Sequence, residues 1–169
     1  MASSGAGGSG NGKTSGAPAR VLQFTVLMER GSSQLMELLH RFEQRGIELL
    51  GLFVSETPEC MLIRLVLSDP DVGREILERA GLAILESRLL AVELLSERQS
   101  VVGLCRSLLQ AGVKVVHLFP LRTRPGGNTV VGIMVENWEA ALTALNSRGY
   151  RVLAEGELAN GWRRGAPDS

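Results

Sequence analysis

The chain states one pattern twice, and that constrains its fold more than any other feature. Residues 34–53 (QLMELLHRFEQRGIELLGLF) align without a gap on 100–119 (SVVGLCRSLLQAGVKVVHLF) at an offset of 66, setting Leu35 on Val101, Phe42 on Leu108, Gly46 on Gly112 and Phe53 on Phe119. Farther on the offset becomes 68, with Asp69 on Asn137, Leu77 on Leu145, Gly81 on Gly149 and Leu85 on Leu153. The two added residues fall between Phe119 and Val130, in RTRPGGN, where turn chemistry makes a hairpin cheap to lengthen. Two units of roughly 65–70 residues indicate a pair of small similar domains, because solenoid units are shorter and come in larger numbers.

Within each unit the hydrophobic period alternates between strand and helix. Leu22, Phe24, Val26 and Met28 alternate with Gln23, Thr25 and Leu27, a strand signal. Leu35, Leu38, Leu39 and Phe42 then form one helical stripe, opened by Ser32 or Ser33 as cap and closed by Gly46. Ile47–Ser55 and Cys60–Leu67 read as strands around a hairpin at Thr57-Pro58-Glu59. Asp69-Pro70 starts a second helix running to Ala80, and 82–85 is a short fourth strand. The second unit repeats the order: strand 89–95, helix 101–111, strands 113–121 and 129–135, a helix capped by Asn137, and strand 150–154. Each unit is therefore βαββαβ, α+β and ferredoxin-like, an antiparallel sheet with two helices on one face. The division expected is an arm over 1–19, domains over 20–87 and 88–156, and a polar tail over 157–169.

Composition removes several function classes. Eighteen basic and eighteen acidic residues cancel, with no basic run beyond Trp162-Arg163-Arg164, so no surface for tracking nucleic-acid phosphates is expected. Cys60 and Cys105 occupy non-equivalent positions and form no metal or redox motif; they read as reduced thiols. Neither a signal-peptide stretch nor a membrane-length apolar run is present, which points to the cytosol and away from membranes. The arm contains GGSGNGKT (7–14), which satisfies the phosphate-loop pattern, but that pattern works only between a strand and a helix, and Gly, Ser and Ala surround it.

A catalytic centre is not expected either. His40 and His117 lie at non-equivalent positions with no third group to orient either as a base. Glu29, Glu93, Glu97 and Glu136 read as solvated strand ends and loops. No cofactor motif appears, so the chain reads as a non-enzyme with no cofactor of its own.

The stretches QFTVLMERGSSQLMELLHRFEQRGIELLGLF and LAVELLSERQSVVGLCRSLLQAGVKVVHLF, with GIMVENWEAALTALNSRGYRVL closing the second unit, resemble the ACT domain family over about residues 20–155. That family consists of small ligand-sensing modules attached to amino-acid metabolism. The first repeat looks most like the small regulatory subunit of acetolactate synthase, which binds branched-chain amino acids. The resemblance implies a regulatory partner of a biosynthetic enzyme, sensing valine, leucine or isoleucine and working beside a catalytic subunit. The alternative is a ligand-free scaffold built from ACT units. Family ligand loops commonly carry a glycine before the first helix; the aligned positions here are Ser33 and Ser100.

The strand-to-helix loops are the candidate ligand sites, because a helix N-terminus presents free amides and the positive end of its dipole to a carboxylate. These are Arg30, Gly31, Ser32, Ser33 and Gln34 in the first unit and Glu97, Arg98, Gln99 and Ser100 in the second. The same residues serve equally well as plain helix caps. The resemblance adds the second strands, and hence Leu52, Phe53, His117 and Leu118. Strict alternation would turn Ile47, Leu49 and Phe53, with Val113, Val115 and Phe119, toward the helices. Leu50, Leu52 and Val54, with Val116, Leu118 and Pro120, would then line the open face, and an apolar open face predicts side-by-side sheets covered by a second copy or a partner.

Overall fold

A computed structural model describes residues 20–30, 33–95, 99–122 and 128–158. The glycine-rich arm with its phosphate-loop match lies outside them, as does the tail from 159. The first unit contains β1 (Val21–Met28), α1 (Gln34–Gln44), β2 (Leu49–Glu56), β3 (Met61–Leu67) and α2 (Pro70–Arg79). β4 (Ile84–Leu94) follows, and the second unit continues with α3 (Val101–Gln110), β5 (Val115–Leu121), β6 (Thr129–Val135), α4 (Trp138–Ser147) and β7 (Arg151–Leu153).

β4 replaces the two short strands expected at 82–85 and 89–95. Its first half pairs with β1, from Ile84 opposite Val26 to Leu89 opposite Val21. Its second half pairs with β6 on one side and β7 on the other. The residues between the expected strands, Glu86 to Arg88, stay in the ladder because β1 supplies partners for each of them. The sheet is consequently continuous, in the order β2-β3-β1-β4-β6-β5, with β7 beside β4. Each half keeps the ferredoxin-like order of second, third, first and fourth strand. The boundary expected at 87/88 falls inside β4.

Helix ends follow the local sequence. The Asp69 side chain accepts from the Val72 amide and the Asn137 side chain from the Ala140 amide, so equivalent residues cap equivalent helices. Gly46 and Gly112, equivalent in the repeat, stop α1 and α3 with φ of 67° and 69°, a conformation that side chains resist.

Two cores lie between sheet and helices: Phe24, Leu38, Phe42 and Leu77 anchor the first, and Leu90, Leu104, Leu108 and Leu145 the second. A third core occupies the face without helices. There Val21, Leu50, Val66, Leu89, Phe119 and Val130 pack together because the sheet curls until its two end strands meet. The Arg122 amide donates to the Leu50 carbonyl at 2.6 Å, and the Phe53 and Phe119 rings lie 6.4 Å apart.

This inner core corrects the facing expected from alternation. Both second strands carry a register shift, between Leu49 and Gly51 in β2 and between Val115 and His117 in β5, again equivalent positions. A bulge adds one residue and reverses the side on which every later side chain lies. Phe53 and Phe119 therefore point into the curl instead of toward the helices, whereas Leu118 packs with the second helix-side core. The open face is covered by the other half of the same chain, which accounts for its apolar character without a second copy. Leu27 and Leu85, at the outer end of that face, remain exposed.

Candidate functional site

The two helix openings carry like sequences but differ in structure. Ser33 precedes α1 with φ −72° and ψ −4°, and its side chain makes no cap hydrogen bond. Among the described residues no side chain accepts from the first-turn amides of α1. Arg30 reaches from the end of β1 to the Pro58 carbonyl at 3.4 Å, tying the loop to the β2–β3 hairpin. Gly31 and Ser32 lie outside the described residues. Gln34 begins α1 and, with Glu37, Leu38, Arg41, Ala80 and Leu82, lines a pocket of about 100 Å³ between α1 and α2. Pockets for whole small molecules run to roughly 300–1,000 Å³, so this one does not enclose an amino acid.

At α3 the opening is closed by the protein's own groups. Ser100 is extended, and its hydroxyl oxygen accepts from the Gly103 amide at 3.0 Å. Gln99 accepts from the Leu95 amide at 2.7 Å and donates to the Gly149 carbonyl at 3.2 Å, lashing the end of β4 to the turn after α4. Ser100 is therefore a working helix cap. Glu97 and Arg98 lie outside the described residues.

Of the four second-strand candidates, the curl brings Phe53 and His117 to one seam. The His117 ring stacks on Phe119 at 6.0 Å, and Arg64 lies 5.4 Å over the Phe53 ring. His117 Nε2 sits 2.9 Å from the Gln23 amide oxygen, an acceptor, so Nε2 carries the proton. Gln23 is almost fully buried and donates onward to the Ser87 hydroxyl at 2.8 Å. His117 Nδ1 is buried without a partner among the described residues. Burial first, and the Arg64 charge second, hold the imidazole below its usual titration range. His117 is neutral at pH 7 and serves as a structural hydrogen-bond donor. Leu52 stays exposed on the edge strand, and Leu118 lies beneath the helices, so neither joins the seam.

Sequence reasoning missed Gln23, Arg64 and Ser87. The available signal was Gln23 itself, a polar residue in β1 whose equivalent 66 positions on is Leu89. Glu93 requires a correction: it is buried, not solvated. Its carboxylate accepts from Arg151 at 2.8 Å and from Asn128 at 3.0 Å, because β7 and the start of β6 flank the end of β4 and supply the donors that a buried carboxylate requires. His40 is exposed on the outside of α1. Cys60 and Cys105 are free thiols.

Among the described residues no group of three or more His, Cys, Asp or Glu side chains is placed to hold a metal ion. No described helix is long and apolar enough to cross a membrane. Among the described residues the arrangement offers one helix opening without a side-chain cap, one capped opening and a polar seam between the halves.

The family description "ACT domain pair" matches residues 19–160, most of the chain. The chain belongs to the ACT domain pair family. Solved structures agree in fold. A protein from Bacteroides thetaiotaomicron superposes with a TM-score of 0.74 at 18% identity, covering 83% of this chain and 96% of that one. The ligand-free regulatory subunit of aspartate kinase from Thermus thermophilus gives 0.53 at 16% identity, covering 76% of this chain and 93% of that one. Its counterpart from Thermus flavus gives 0.51 at 14% identity, covering 76% and 92%. At such identities the likeness speaks for fold alone. No curated protein matches the sequence. In this ACT domain pair, the two units share a strand and fold their open faces onto each other.

Proposed function

We propose that this ACT domain pair is a non-catalytic cytosolic regulator that senses an amino acid at the opening of α1. The observation that carries the reading is the contrast between the openings. Ser100 fills the α3 opening with its own oxygen, whereas the Ser33 side chain makes no cap hydrogen bond to the amides of α1. A ligand carboxylate there would satisfy those amides and meet the positive end of the helix dipole, with Arg30 nearby in the same loop. One ligand per chain follows. Solved folds of this kind include regulatory subunits of aspartate kinase, which supports regulation of a partner enzyme as the role.

A finer version names the partner as the catalytic subunit of acetolactate synthase and the ligand as valine, leucine or isoleucine. It rests on the likeness of the first repeat alone. The competing reading is a ligand-free scaffold, favoured by the satisfied α3 opening. Calorimetry against the twenty amino acids separates them. The sensor reading expects saturable binding with a stoichiometry of one, weakened by Ser33→Asp, whose carboxylate at the opening would repel that of the ligand. If no amino acid gives heat at millimolar concentration, the scaffold reading stands.

A further inference from the structure

A second site stands where the two units join, away from both helix openings. Arg20 precedes β1, and its guanidinium carbon lies 3.6 Å over the ring of Trp138, the first residue of α4. Arg88 lies on β4 opposite Leu22 of β1. Both arginines, with Leu89, Leu90, Val135 and Trp138, line a pocket of about 90 Å³. Arg20 Nε is buried there without a hydrogen-bond partner among the described residues.

The charged residues that line this pocket are both arginines. Neither arginine has an ion pair among the described residues. Glu86, whose carboxylate feels the Arg88 charge, is hydrogen-bonded to Arg74 at 2.6 Å, and Glu155 accepts from the Leu22 amide at 2.8 Å. The pocket also adjoins the N-terminal turn of α4, although Asn137 already caps one of its amides. Two guanidiniums in one small cleft repel each other unless an anion lies between them, and the arginine fork matches the oxygens of carboxylate and phosphate. Size narrows the occupant further. A water takes roughly 30 Å³, so the space holds about three waters, which suits one oxyanion group and does not enclose a whole amino acid.

We propose that this cleft binds a small oxyanion group, a phosphate or a carboxylate, between Arg20 and Arg88. Such an anion would satisfy Arg20 Nε and tie the start of β1 in the first unit to α4 in the second. Stacking on Trp138 fixes the Arg20 guanidinium in place beforehand, which lowers the ordering entropy lost on binding. The inference shares no residue with the α1 opening and stands or falls independently of the amino-acid reading.

Trp138 is the natural reporter once Trp162 is changed to Phe. Its emission is followed while sodium phosphate, sodium acetate or sodium chloride is added to the full chain at constant ionic strength. Phosphate or acetate should produce a saturable change that chloride does not, and the anion that acts tells a phosphate group from a carboxylate. In the Arg20→Gln, Arg88→Gln double variant the half-saturating concentration should rise at least ~10-fold, since each lost charge-assisted bond is worth more than the energy of one decade. Arg88→Gln alone, at an exposed position, should weaken binding with no change in melting temperature. A response that does not saturate, that chloride reproduces, or that survives in the double variant overturns the proposal.

Discussion

The two units of this ACT domain pair are alike where sheet meets helix and differ at several positions of the inner face and at their first helix openings. Phe24, Leu38, Phe42 and Leu77 of the first fall on Leu90, Leu104, Leu108 and Leu145 of the second, and all eight are buried in the corresponding cores. Several other equivalent pairs diverge. Gln23 matches Leu89, Gly51 matches His117, and the Ser33 side chain makes no cap bond where Ser100 caps α3. Helix-side packing is what makes each unit fold, so it tolerates little change. The inner face and the openings meet different neighbours in the two halves, and their residues have separated accordingly.

The largest test of this contrast uses the equivalent phenylalanines. Phe119 is 4% exposed within the inner core and Phe53 is 39% exposed at the edge. Phe119→Ala should cost about 3–5 kcal/mol in urea unfolding, and Phe53→Ala about 1 kcal/mol, in keeping with the area each loses. Equal losses would mean that the two halves do not close over an inner core.

Glycine at 51 against histidine at 117 gives the next test. A Cβ on Gly51 would lie 2.7 Å from Phe119 Cε2 and 2.8 Å from Leu121 Cδ2, so the curl admits no side chain there. Gly51→Ala should destabilise by about 1–3 kcal/mol through overpacking, read as a lower denaturant midpoint. An unchanged midpoint would show that the inner face is looser than its contacts imply.

Smaller, and more telling about function, is the pair of serines. Ser100→Ala removes a cap and should cost about 1 kcal/mol, whereas Ser33→Ala should be nearly neutral because its side chain caps nothing. Similar losses at both would close the α1 opening as a ligand site.

The seam also makes stability depend on pH. His117 binds its proton less readily when folded than when unfolded, where its ordinary value is 6.5. Its contribution is therefore complete above that value and is lost as pH falls from there toward the lowered folded value, because the unfolded chain takes up the proton first. Gln23 from β1, Arg64 from β3 and Phe119 from β5 itself are the groups that face the ring. Melting temperature should decline between pH 7 and the acid side of 6.5, and His117→Asn should flatten that decline; a decline of equal slope in the variant would remove His117 as its source.

Much of this fold was legible in the sequence. Repeat spacing, strand and helix periods, the Asp69 and Asn137 caps and the glycines that stop α1 and α3 all act within a few residues, so local chemistry fixes them. Tertiary structure decided what depends on neighbours distant in sequence. The residues between the two expected strands join β4 because β1 offers partners for them. The bulges at 49–51 and 115–117 appear only when each strand is registered against the next, and they reverse the faces of Phe53 and Phe119. Glu93 is buried because Arg151, 58 residues on, arrives to pair with it. Two serines at equivalent positions cannot be told apart by sequence; Ser100 is extended and caps its helix, whereas Ser33 is already helical and its side chain caps nothing, a difference of backbone dihedral that sequence does not show.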